Sequence, residues 1–106
     1  MGFFNLFKRS NIYKGLTQFE ETPGAVLLDV RTRQEYAQGH LPGSQNVPVD
    51  EVTQTDEIIS DQNTPLFVYC LSGSRSSRAA SALRRMGYQN VTNIGGLSGY
   101  RGKVEY

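Results

Sequence analysis

The chain has no tryptophan, one cysteine, one histidine and only four prolines in 106 residues. A single cysteine excludes an internal disulfide, and one cysteine with one histidine excludes the usual four-ligand zinc site. No apolar run approaches the roughly 20 residues that a membrane helix needs. A net charge of +1 excludes the broad basic surface of a nucleic-acid binder. The sequence shows no repeat, low-complexity tract or linker. With 38% apolar residues it is also too apolar for a disordered chain. Residues 1–106 therefore read as one domain, with a core over about 12–100 and a short N-terminal docking segment at 1–10. No metal, organic cofactor, nucleic acid or membrane span is expected.

The N-terminus lacks the order of a secretory signal, because Phe3, Phe4, Leu6 and Phe7 precede Lys8 and Arg9. Leu6 stands where a myristoylation pattern wants serine or threonine. The expectation is a cytoplasmic protein whose Phe3, Phe4 and Phe7 dock one helical face on the domain.

Strands and helices alternate along the rest. Asn11-Ile12-Tyr13 reads as a short strand, and Leu16, Phe19 and Glu20 as a short helix stopped near Pro23-Gly24. Ala25–Val30 and Leu66–Cys70 are continuous apolar runs, the pattern of strands buried on both faces of a parallel sheet. Thr32 caps a short helix, with Glu35 as its capping-box partner and Gly39 closing it. Leu41–Ser44 is a turn, and Pro48 confines Gln45–Val49 to an edge strand. Residues 53–61 form a weak helix anchored by Ile58 and Ile59. A strong helix runs from about Ser76 to Met86 on a stripe of Ala79, Ala82, Leu83 and Met86. Val91–Ile94 is a last strand, after which Gly95-Gly96 opens a loop. The fold expected is α/β, with a mainly parallel central sheet flanked by helices.

Charge is divided unevenly. Residues 1–65 hold five Lys/Arg and nine Asp/Glu; residues 66–106 hold six and one. The cysteine lies in the basic part, which suggests a local positive field for an anion. Cys70-Leu71-Ser72-Gly73-Ser74-Arg75-Ser76 joins the carboxyl end of a buried strand to a helix start. Ligands bind at that edge in open α/β sheets. Small residues let the loop curl so that backbone N–H groups converge, and the helix N-terminus adds to this anion cradle. A thiol there should ionise more easily than a free one. Arg75 adds a planar fork suited to oxyanions, and Arg78, one turn on, extends the field. A buried structural cysteine before an ordinary turn is the plain alternative, but nothing structural requires a thiol beside an anion nest.

These residues, with others in order along the chain, resemble the rhodanese family of sulfurtransferases in its small single-domain form. The resemblance runs from about Ile12 to Tyr100. It rests on Leu28-Asp29-Val30-Arg31 with Glu35-Tyr36, on Gly39–Ser44 with Asn46-Val47-Pro48, on Tyr69-Cys70 with Gly73 and Arg75-Ser76, and on Gly95-Gly96. It implies that Cys70 takes a sulfane sulfur from thiosulfate or a similar donor, becomes a persulfide, and passes the sulfur to cyanide or a thiol. It implies too that the loop amides of Leu71, Ser72, Gly73, Ser74 and Arg75 cradle the persulfide. Two positions depart from the commonest pattern: Tyr100 stands where a tryptophan usually follows Gly-Gly, and apolar Leu71 occupies a place often polar or charged. A partnered sulfur carrier or a regulatory binding module is the alternative within the family.

A cysteine phosphatase needs five residues between cysteine and arginine; this loop has four, Leu71 to Ser74. His40, in a Gly–His–Leu–Pro–Gly turn, reads as a tie between loop backbones rather than a base for Cys70. Asp29 and Arg31 read as an internal pair, Glu35 as a helix-start residue, and Tyr69 as a packing residue on the sheet face opposite Cys70. Arg78, Arg84 and Arg85 read as a solvated helix face.

Overall fold

The computed structural model describes residues 2–106, with side chains from Ile12 onward. Helix α1 spans Gly2–Glu21, strand β1 Val26–Asp29, helix α2 Arg33–Ala37 and strand β2 Gln45–Asn46. A 3-10 helix follows at Val49–Glu57, then strand β3 at Leu66–Cys70, helix α3 at Ser74–Arg85 and strand β4 at Val91–Gly96. The four strands form one parallel sheet in the order β2-β1-β3-β4. The α/β architecture expected from the two apolar runs is the one observed.

Parallel strands need cover on both faces, and alternation along β1 and β3 divides the core in two. Leu27, Phe67, Tyr69 and Ile94 pack with Ile12, Leu16 and Phe19 of α1. Leu28, Val68 and Cys70 pack with Ala79 and Leu83 of α3, and with Val52 and Ile59. Every residue of β3 is buried, as a central strand requires. Pro48 stands just past the short edge strand β2 and begins the 3-10 helix.

Three local expectations change. Asn11-Ile12-Tyr13 is helical, not a strand. Ile12, Leu16 and Phe19 recur at the helical spacing, and that stripe buries against the sheet. The polar stretch is a 3-10 helix beginning earlier, at Val49. Val52, Thr55 and Ile59 anchor it, whereas Ile58 is 57% exposed. Gly95 and Gly96 do not open a loop; they finish β4 beside Tyr69 and Cys70. The proposed docking of Phe3, Phe4 and Phe7 lies outside the described side chains. Among the described residues, no helix is long and apolar enough to cross a membrane.

Candidate active site

Cys70 ends β3, and the chain turns into α3 within three residues. Gly73 makes the turn possible: its φ of 100° is left-handed backbone that a side chain would strain. Here it occupies the N-cap of α3, so the first amides of the helix face back toward the strand end.

Two of those amides reach the sulfur. Gly73 N–H donates to Cys70 Sγ at 3.0 Å and Ser76 N–H at 3.3 Å. The Ser76 hydroxyl lies 3.4 Å from the same sulfur. A neutral thiol donates to that hydroxyl; an ionised one accepts from it. Burial pushes the thiol up, but the Ser76 hydroxyl and the amides of Ser76, Gly73 and Ser72 outweigh it. The thiol therefore sits below its ordinary value, because several oriented donors converge on one sulfur.

Ser76 is itself held in place. It is fully buried, and its hydroxyl meets Asn93 Oδ1 at 2.8 Å and the Gly73 carbonyl at 3.0 Å. Asn93 Oδ1 also accepts from Gly95 N–H at 2.9 Å, which ties β4 to the start of α3. On the other side of the loop, Leu97 N–H donates to the Cys70 carbonyl and Ser98 N–H to the Leu71 carbonyl. Gly96 permits this approach: a Cβ there would stand 2.1 Å from the Leu71 oxygen. The backbone is thus clamped while the Leu71 side chain, 45% exposed, projects outward.

Arg75 is placed differently from what its loop position suggests. Its Nη1 donates to Glu35 Oε1 at 2.7 Å and its Nη2 to Glu35 Oε2 at 3.0 Å. Glu35 is also the capping-box residue of α2, accepting from the Thr32 amide and answering the Thr32 side chain. Arg75 draws the Glu35 carboxyl down to about 2, against a smaller opposing effect of burial. The guanidinium fork that appeared open to an oxyanion is thus engaged with a carboxylate from the acidic half of the chain.

Asp29 and Arg31 form the internal pair expected of them, with Arg31 Nη2 2.7 Å from Asp29 Oδ2 and both residues buried. His40 ties backbones together: its Nδ1 donates to the Tyr36 carbonyl at 2.8 Å, and its main chain exchanges two hydrogen bonds with Glu105. Its ring stacks on Tyr36 at 3.6 Å. Tyr69 faces away from Cys70, with its hydroxyl accepting from Leu41 N–H at 3.0 Å and meeting Ser44 Oγ. Arg78, Arg84 and Arg85 are exposed on α3. Tyr100 stacks obliquely on Tyr13 of α1 at 5.3 Å.

The cysteine loop was legible in the sequence, but Ser76 as a partner of the sulfur and Asn93 as the partner of Ser76 were not. A serine directly after Arg75 in the first helical turn was a usable signal, since that turn points back at the strand end. Asn93 offered none, because only the β3–β4 pairing brings it there. A cleft of about 390 Å³ lies between α3 and the 3-10 helix, lined by Val49, Val52, Arg78 and Arg85, and no residue of the cysteine loop lines it. Among the described residues, no group of three or more His, Cys, Asp or Glu gathers to hold a metal.

The model of the rhodanese-like domain family matches residues 14–103. The Bacillus subtilis (strain 168) protein YqhL is 36% identical over 102 residues, covering 92% of this chain and 79% of its own. Thiosulfate sulfurtransferase PspE of Escherichia coli (strain K12) is 39% identical over 71 residues, covering 66% of this chain and 68% of its own. A solved structure described as rhodanese with anions from E. coli superposes with a TM-score of 0.70 at 34% identity, over 76% of this chain and 96% of that one.

Proposed function

The chain belongs to the rhodanese-like domain family, and on that premise we propose that it is a sulfurtransferase working through a Cys70 persulfide. The donor is thiosulfate or a similar sulfane-sulfur compound; the acceptor is cyanide or a thiol. The observation that carries this reading is the convergence of the Gly73 amide, the Ser76 amide and the Ser76 hydroxyl on Cys70 Sγ. Such a group of donors favours the thiolate, and the thiolate is the nucleophile.

In the first step the Cys70 thiolate attacks the outer sulfur of thiosulfate. The new Sγ–S bond forms as the old S–S bond breaks, and sulfite leaves with the electron pair. In the second step cyanide attacks the outer sulfur of the persulfide. Thiocyanate departs and the Cys70 thiolate is restored. The loop from Leu71 to Arg75 supplies the cradle, its amides facing the charge that moves between Sγ and the outer sulfur. No step calls for a metal or an organic cofactor. The reading includes a cytoplasmic setting, where a lone thiol stays reduced.

A second reading is favoured by the exposed Leu71 at the mouth: a sulfur carrier loaded by a protein partner. Intact mass separates the two. Incubation with thiosulfate alone should add one sulfur atom to the protein, cyanide should remove it, and Cys70→Ser should do neither. Loading that requires an added protein would favour the carrier. Turnover in Cys70→Ser comparable to the parent would sink both, as would aryl-phosphate hydrolysis that depends on Cys70.

A further inference from the structure

The sulfur cradle is rich in dipoles but poor in free charge. Arg75 is bound at both Nη groups by Glu35. Arg31 is bound by Asp29 and also donates to the Gly39 carbonyl at 2.8 Å. Arg33, the first residue of α2, pairs with Glu51. These arginines are therefore matched one to one by carboxylates. Asp29, Arg31, Glu35 and Arg75 sense one another and sum to zero, and Arg75 also senses Cys70.

Among the described residues, other cations near α3 and the C-terminus are engaged elsewhere. Arg78 and Arg85 line the cleft against the 3-10 helix. Arg84 donates to the Val91 carbonyl at the opposite end of α3. Arg101 and Lys103 follow Tyr100, on a segment fastened to α1 by the Arg101 N–H bond to the Tyr13 hydroxyl. Tyr100 belongs to the α1 side of the sheet, whereas Cys70 belongs to the α3 side.

What the loop does offer to an incoming molecule is Leu71. The neighbouring Ser72 and Ser74 are uncharged and close on each other at 3.4 Å. Leu71 keeps its carbonyl fixed by Ser98 and its side chain in solvent. An exposed leucine beside a buried nucleophile lowers the free energy of a ligand that covers it with an apolar group. It gives nothing to a small, strongly hydrated dianion, which loses water on entry and finds the loop guanidinium, Arg75, already held by Glu35.

We propose that this mouth selects sulfane-sulfur donors carrying an organic, at least partly apolar group, such as an organic persulfide, over inorganic thiosulfate. The inference rests on Cys70 being the sulfur acceptor and adds the class of donor. With a persulfide R–S–SH, the Cys70 thiolate attacks the outer sulfur, the Sγ–S bond forms, and the donor S–S bond breaks. R–S⁻ leaves with the electron pair, and the proton stays on the transferred sulfur. Nothing is oxidised or reduced overall. The group R lies over Leu71 while the transferred sulfur enters the cradle.

Thiosulfate and benzenethiosulfonate are suitable probes, since both deliver the same sulfur and leave as sulfite and benzenesulfinate. The measurement is kcat/KM for each donor, read as thiocyanate formed from cyanide, in the parent, Leu71→Lys and Glu35→Gln. The parent should prefer the aryl donor. In Leu71→Lys the ratio of aryl donor to thiosulfate should fall about tenfold, from loss of the apolar contact and gain of a cation. Glu35→Gln should free Arg75 and lower the KM for thiosulfate about fivefold, moving the aryl donor less. A parent that prefers thiosulfate, or a ratio that holds within about threefold in Leu71→Lys, would overturn the donor class while leaving Cys70 as the acceptor. Failure of both donors to place sulfur on Cys70, seen by intact mass, would overturn the acceptor reading and this inference with it.

Discussion

Glu35 and Arg75 stand 40 positions apart in the chain and close a two-pronged ion pair between the start of α2 and the start of α3. The same carboxylate completes the capping box of α2. One acidic side chain thereby does two things: it starts a helix, and it takes up the guanidinium at the mouth of the sulfur cradle. The basic excess of residues 66–106 is answered there by the acidic excess of residues 1–65.

The first prediction concerns the acid stability of that pair. The Glu35 carboxyl is lowered to about 2 from an ordinary 4.5. Between those values the unfolded chain binds the proton that the folded chain refuses, so stability rises with pH across the window. The contribution is complete above about pH 5 and is lost as pH falls toward about 2. Both side chains are more than a quarter exposed, so solvent screening holds it to about 0.5–1 kcal/mol. Glu35→Gln keeps a residue able to close the capping box and removes the charge. Its urea midpoint should lie below that of the parent at neutral pH, and the two should converge near pH 2. A gap of constant size would show that the charge contributes nothing.

The second prediction separates the groups that ionise Cys70. Burial raises the thiol, and the Ser76 hydroxyl followed by the amides of Ser76, Gly73 and Ser72 lower it further than burial raises it. The pH dependence of iodoacetamide alkylation should therefore show a midpoint below that of a free cysteine. Ser76→Ala should move that midpoint up. Arg75→Ala should move it less, because the charge it removes is already matched by Glu35. A larger shift in Arg75→Ala than in Ser76→Ala would mean that the guanidinium acts on the sulfur despite its pairing.

The third prediction tests two glycines for which close approach, not flexibility, is the reason. Alanine in place of Gly15 would favour an isolated helix by about 1 kcal/mol. In this fold its Cβ would stand 2.3 Å from the Cβ of Ile94, where α1 crosses β4. Overpacking of that kind costs about 1–3 kcal/mol and wins over the propensity gain. Gly15→Ala should thus lower the urea midpoint without changing the slope. Gly96→Ala is the more severe, since its Cβ would meet the Leu71 carbonyl, a backbone atom with nowhere to go. It should cost at least about 2 kcal/mol and sharply reduce sulfur loading on Cys70. Unchanged midpoints in both would show that α1 and the cysteine loop yield freely.

Much of the fold was legible along the chain because it follows from local rules. Two apolar runs of strand length, the first with Asp29 near its end, fit strands covered on both faces, and they are β1 and β3. The Thr32–Glu35 spacing specifies a capping box, and it forms. The run Cys70–Ser76 sets a thiol before a glycine that can take positive φ and before a helix start, so the amides had to turn toward the sulfur. Asp29 and Arg31 are two residues apart at a strand end and pair as that closeness dictates.

Other features depended on contacts between distant parts. Ile12 joined a helix rather than a strand because its stripe found the sheet. Gly95 and Gly96 joined β4 because the Cys70 and Leu71 carbonyls lay within reach of Leu97 and Ser98. Asn93 met Ser76 only because β4 pairs with β3 in parallel. The charge at the mouth was beyond counting residues, since a net charge along a segment says nothing of which opposite charge folds onto it. By itself the sequence determined the sheet, the turn and a thiol among amides, all set by backbone geometry over a few residues. The tertiary structure alone decided that Arg75 faces a carboxylate and that Leu71 stands exposed in the mouth, because electrostatic pairing acts through space and not along the chain.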